Sequence, residues 1–254
     1  MSDNRKIEKQ EYWKERSGIL TYKKKTSDNS KGKDLKAIDR KNKSNEKIKK
    51  MQIPICEGLP IIEEEIKNDF KSLDTICKRA IACLISTQLA CNINEGKDYE
   101  ESKNFFKEIL EEFGVEQCLN SKEKKLFNGS YSKQDVVDVT WTYECFWVLV
   151  WALGLINDDI SVPNNICDCD RAIKLVSETK NYSEFKEKCN LRSITEILDL
   201  LDLHYRYHWA CVEKQLNSDV NISDLNPEVV YERRRGLEWL FAEETDWFDI
   251  SLDT

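Results

Sequence analysis

Glycine and proline are scarce in this chain of 254 residues, numbering eight and four. So few turn-forming residues argue against a turn-dense β architecture and favour helices. Histidine occurs twice, at His204 and His208, which leaves little room for chemistry that needs several imidazoles. No uninterrupted run of about 18 or more uncharged apolar residues occurs, the length a membrane span requires. The best candidate, Trp141 to Ile156, is broken by Glu144, so no membrane span is expected. The first residues, Met1-Ser-Asp-Asn-Arg, lack the apolar stretch of a secretory signal. The expected location is therefore cytoplasmic. No glycine-rich phosphate loop, no Gly-x-Ser-x-Gly elbow and no telling Cys–His dyad is found.

What is present is enough for a core: 40% hydrophobic residues, with seven Trp and nine Phe. Ten cysteines suggest disulfides, but Cys77, Cys83, Cys91, Cys145 and Cys211 fall within apolar helical patterns. Cysteine there acts as a small hydrophobe, and reduced thiols are expected inside a cell. The close pair Cys167 and Cys169 lacks the Cys-x2-Cys spacing and the second pair that a zinc site uses. No metal site and no cofactor is assigned.

Charge divides the chain. Residues 1–50 hold 17 Lys/Arg against 8 Asp/Glu, whereas the whole chain carries −8, which leaves −17 on residues 51–254. The expected organisation is a disordered basic arm over 1–50 and one compact all-α domain over 51–254. The acidic body is a poor match for nucleic acid. The arm could touch nucleic acid or anionic lipid, but with few aromatics it reads better as a solvated leader.

Along the body, "IPICEGLPII" (residues 53–62) reads as an extended strap, with a short strand as the alternative. Helices are expected from Asp74, as its N-cap, to about Asn94, from Tyr99 to Gly114, and over 121–127. A central helix should open at the Ser132 cap and run to about Ile156, with a possible break after Gly154. Further helices are expected over 170–179, 183–189 and 193–216. The last is capped by Asn226, with Pro227 at its first position, and ends near Glu244.

The central helix is apolar on every side, with Trp141, Trp147 and Trp151 among its residues. A helix apolar all round is buried, so the carboxylate of Glu144 must be paired or protonated. On the last helix Arg233 sits in the middle of the face marked by Val229, Val230, Leu237 and Leu240, while Arg234 and Arg235 should point away from its centre. Arg233 is thus the expected partner, with Arg79 second. Arginine suits this role because its fork matches a carboxylate. A buried pair that fixes helix register is one reading. A general acid or base, or a polar anchor in an aromatic pocket with His208 and Trp151, is the other. His204 and His208 stand four apart, a spacing that metal ligands use, but Tyr205 occupies the place where a zincin carries Glu. Core histidines are the plainer reading. Trp141, Trp209, Arg79 and His204 complete the candidate binding residues.

Three stretches, "VTWTYECFWVLVWALGLI", "YRYHWACVE" and "VVYERRRGLEWLF…DWFDISLDT", in that order, resemble the bacterial family known as domain of unknown function 4272. The resemblance runs from about Ile53 to Thr254. It implies a helical domain, with no established activity, cofactor or catalytic residues to carry over. Its pattern includes positions matching Trp141, Glu144, Trp151, Gly154, His208, Trp209, Arg233, Trp239, Trp247 and Asp249. Two classes of function remain. One is a non-enzymatic interaction or regulatory module with a protein partner. The other is an enzyme or small-ligand binder built on Glu144, His208 and Arg233. A pocket of at least roughly 300 Å3 reaching that cluster would favour the second. An exposed apolar patch of several hundred Å2 would favour the first.

Overall fold

A computed structural model of the protein describes residues 35–254, whose regular structure is helical with no strand. The all-α expectation therefore holds, but the boundary of the folded body does not. Residues 1–34 of the basic arm lie outside the described residues. Leu35–Lys50 forms a 16-residue helix, α1, packed along the later helix α9. Its buried face is Ala37, Arg40, Ser44 and Ile48, spaced three or four apart as one helical stripe requires. Only one of those four is a large apolar residue, which is why the segment reads as solvated.

Residues 53–62 form the strap, with no strand. Two cations of α1 hold it down. Lys41 Nζ donates to the carbonyls of Glu57 and Leu59, both at 2.6 Å, and Arg40 donates to the Ile62 carbonyl at 3.0 Å. Ile53 and Leu59 turn inward.

Helix α2, Leu73–Asn94, is capped by Ser72, whose hydroxyl accepts from the Thr75 amide; Asp74, the expected cap, lies in the first turn instead. α2 is the fold's central column and packs on its neighbours α3, α5 and α6. It is also long and apolar enough by composition to cross a membrane, but 72% of the qualifying window is buried inside the protein. Helices α3 (Tyr99–Phe113) and α4 (Ser121–Asn128) end on Gly114 and Gly129 in the left-handed conformation.

The central helix is two helices. α5 (Lys133–Trp141) starts in a Ser132–Asp135 capping box, and α6 spans Tyr143–Ala152. Between them the Thr142 hydroxyl and amide both donate to the Val139 carbonyl, at 2.6 and 3.1 Å. That tightens the turn and re-aims the chain. α6 stops at Gly154 (φ +70°), where an added Cβ would sit 2.2 Å from the Asn190 carbonyl oxygen. Then follow α7 (Cys169–Ser177), α8 (Tyr182–Glu187), the long α9 (Ile194–Leu216) and α10 (Pro227–Trp239). Asn226 caps α10 as expected, though the helix ends before Glu244.

α10 lies against both α6 and α9. The approach to α6 is close: a Cβ on Gly236 would meet the Cys145 Cα at 3.1 Å and carbonyl at 3.2 Å. The main core joins α2 through α10. A smaller cluster of Ile48, Ile53, Leu203, Tyr207, Leu225 and Val230 fastens α1 and the strap to α9 and α10. Trp147, Trp239 and Trp247 are buried, while Trp141, Trp151 and Trp209 are half-buried.

Candidate functional site

Glu144 sits in the first turn of α6, 1% exposed. A helix N-terminus favours negative charge, and two further groups complete the carboxylate's surroundings. Oε2 accepts from Arg233 Nε at 2.9 Å, and Oε1 accepts from the Cys167 amide at 2.6 Å. Arg233 continues outward, with Nη2 donating to the Asn165 carbonyl at 3.1 Å and Nη1 to that of Ile160 at 3.5 Å. The pair thus pins the loop between α6 and α7 onto two helices at once. These hydrogen bonds offset part of the desolvation of both charges.

Arg79, the second candidate partner, goes elsewhere. It pairs with the fully buried Glu123, donates to the Cys118 carbonyl and lies 4.4 Å from the Trp247 ring centroid.

Arg234 and Arg235 are as buried as Arg233, contrary to the expectation that they point away. α10 is enclosed on all sides because the C-terminal tail covers the flank that its helical neighbours leave open. Arg234 donates to the tail carbonyls of Leu252 and Asp253 at 3.1 and 3.0 Å, stacks on Tyr205, and reaches His208 Nδ1 at 2.6 Å. Arg235 donates to Glu232 and to the Tyr231 hydroxyl.

The two histidines carry opposite tautomers. A guanidinium can only donate, so His208 Nδ1 is the acceptor and its proton is on Nε2. A backbone carbonyl can only accept, so His204 Nδ1, 3.1 Å from the Leu200 carbonyl, bears the proton. Its bare Nε2 is buried with no protein partner among the described residues. Burial, helped by the charge of Arg233, pushes His204 down to about 3. Burial, then Arg234 and Arg235, holds His208 well below the usual histidine range. One lone pair of this i, i+4 couple is committed to Arg234, so the couple does not chelate. Among the described residues no group of three or more His, Cys, Asp or Glu is arranged to hold a metal ion.

The structure therefore joins Glu144 to Arg233 and gives His208 to Arg234. Neither Glu144, Arg233, His204 nor His208 lines the groove of about 320 Å3 between α1 and α9, nor the more polar one of about 420 Å3 along α1 and the strap. One candidate binding residue, Trp151, does line the α1/α9 groove, beside Leu200 and Leu203 and opposite Lys43, Ser44 and Lys47. Lys43 is paired with Asp39 at 2.7 Å, whereas Lys47 donates to the Ser161 hydroxyl. Arg40 in the same wall is taken up by Asp199 and Glu64. The Arg192 guanidinium lies 4.6 Å from the Trp151 ring centroid. Trp141 and Trp209 stand outside this groove. The α1 lysines could not be picked out from the sequence, because nothing there distinguishes them from the rest of the basic arm. Among the described residues the exposed large apolar side chains are Leu35, Phe105, Val137, Ile166 and Leu216, which are spread over different elements.

The model of one family, described as Domain of unknown function (DUF4272), matches residues 40–250. That match begins inside α1, in keeping with a folded body that starts before residue 51. No curated protein and no solved structure matches the chain.

Proposed function

We propose that this chain, which belongs to the DUF4272 family, is a non-catalytic binding module whose α1/α9 groove takes a small molecule with an anionic group on a planar apolar body. The observation that carries the reading is the groove's lining. Trp151, Leu200 and Leu203 supply an apolar floor, and Lys47, which donates to the Ser161 hydroxyl, supplies the charge; of the two carboxylates in the lining, Asp199 is taken up by Arg40 and Glu196 by the Ser193 cap. A volume of about 320 Å3 is at the lower end of what small-ligand sites use. The non-catalytic half rests on the enclosure of Glu144, Arg233 and His208. Both Glu144 oxygens are occupied, and His208 is a committed acceptor.

The test is thermal denaturation with phenyl phosphate and with benzoate over a concentration series. Binding to the folded state raises the Tm with concentration. The expected outcome is such a rise in the wild type and its loss in Lys47→Glu. Equal shifts in both proteins, or none in either, would overturn the reading. Release of phenol from phenyl phosphate at a rate that Glu144→Gln abolishes would favour the enzymatic alternative.

A further inference from the structure

We propose that Cys77 and Cys189 form a modification site at which a hydroperoxide converts the two thiols into one disulfide. Their sulfurs are 3.6 Å apart although 112 residues separate them along the chain. All ten cysteines are free thiols in the structure, so this proximity exists before any bond is made. Cys77 is on α2 and fully buried, while Cys189 lies just beyond α8 and is half-buried. The half-buried residue and the fully buried one hold the positions of an attacking thiol and a resolving one.

The difference in burial assigns those roles. Cys77 donates to the Cys189 sulfur, and Cys189 in turn donates to the Phe185 carbonyl at 3.3 Å. Lys186 and Asp74, joined to each other at 2.7 Å, and Tyr182, bonded to Asp74, are the neighbouring charged and titratable groups. The Cys189 thiolate attacks one peroxide oxygen. An S–O bond forms, the O–O bond breaks, and the departing hydroxide takes the proton that the Cys189 thiol gave up and leaves as water. Cys77, giving up its proton, then attacks the Cys189 sulfur. The S–S bond forms, the S–O bond breaks, and the second hydroxide leaves as water. Two thiols are oxidised and one hydrogen peroxide is reduced to two waters. Closure needs the sulfurs to approach from 3.6 Å to about 2.05 Å. Cys189 stands in a turn rather than inside a helix, with its amide on the Lys186 carbonyl, and so is the partner that can shift.

The test uses the full chain, reduced, desalted and exposed to hydrogen peroxide. It is then denatured and alkylated with N-ethylmaleimide, and the intact mass and unreduced peptides are read. The expected result is eight alkylated thiols instead of ten, with one cross-linked peptide pair containing Cys77 and Cys189 that dithiothreitol abolishes. Cys189→Ser should keep all nine of its thiols alkylated, and the double variant Cys167→Ser, Cys169→Ser should still lose two. Ten alkylated thiols in the wild type, or a missing pair that maps to Cys167 and Cys169, would overturn the proposal. If Cys189→Ser does not fold, the wild-type peptide map decides alone.

Discussion

Glu144 of α6 and Arg233 of α10 are joined by a 2.9 Å hydrogen bond across 89 residues of sequence, in the interior of the protein. Each is also bonded to the backbone of the loop that runs from α6 to α7. The pair is the point at which two helices and one loop are fixed to each other. Glu144→Ala and Arg233→Ala should each destabilise by roughly 3–5 kcal/mol, because each strands the opposite charge in the interior. The double variant should be much less damaged than the sum of the two. Urea denaturation of all four proteins checks this, and simple additivity would show that the two do not act together.

α1 belongs to the folded body. Removing residues 1–50 should lower the Tm by more than about 5 °C relative to removing residues 1–34, equivalent to roughly 1–2 kcal/mol for a domain of this size. The loss comes from uncovering Leu203 and Tyr207 and freeing the strap that Lys41 and Arg40 hold. Identical melting of the two truncated proteins would show that α1 contributes nothing.

Gly154→Ala should cost roughly 2–4 kcal/mol, since it combines a left-handed backbone with a collision against the Asn190 carbonyl. Gly236→Ala should cost about 1–3 kcal/mol by pressing α10 off the α6 backbone. Substituting Gly96, where a Cβ meets nothing within 4 Å, isolates the backbone cost alone. Denaturant midpoints of the three variants should therefore rank Gly154→Ala as the most damaged.

The buried histidines make stability depend on pH. Both have folded pKa values below the unfolded value of about 6.5. Between the folded and unfolded values the unfolded chain binds more protons, so stability rises with pH. The contribution is complete above about pH 6.5 and is lost as pH falls, for His204 down to about 3. Each histidine should contribute a slope approaching about 1.4 kcal/mol per pH unit in that window. Urea midpoints measured from pH 7.5 to 5 should fall, and His204→Asn should flatten the slope. An unchanged slope would show that His204 is not buried in neutral form.

What the chain determined on its own was the class of fold and one long-range contact. Sparse glycine and proline, apolar residues at helical spacing and local caps such as Ser132 and Asn226 act within a few residues of each other, so the helices are legible. A single carboxylate in an apolar helix and a single arginine centred on an apolar face had few other ways to be satisfied, so Glu144 and Arg233 could be paired in advance. The rest required the fold. In the sequence α1 reads as solvent-exposed arm because its buried face holds one large apolar residue, Ile48, beside Ala37, Ser44 and Arg40. Only the opposing α9 surface makes that face an interior. Arg234 and Arg235 looked peripheral because a helix's pattern shows which face is apolar, not how many neighbours enclose it. The C-terminal tail supplies the missing wall and the acceptors for Arg234. The same holds for the groove and for Cys77 with Cys189. Each brings together groups far apart in the chain, and neither charge nor spacing carries that information until the helices have packed.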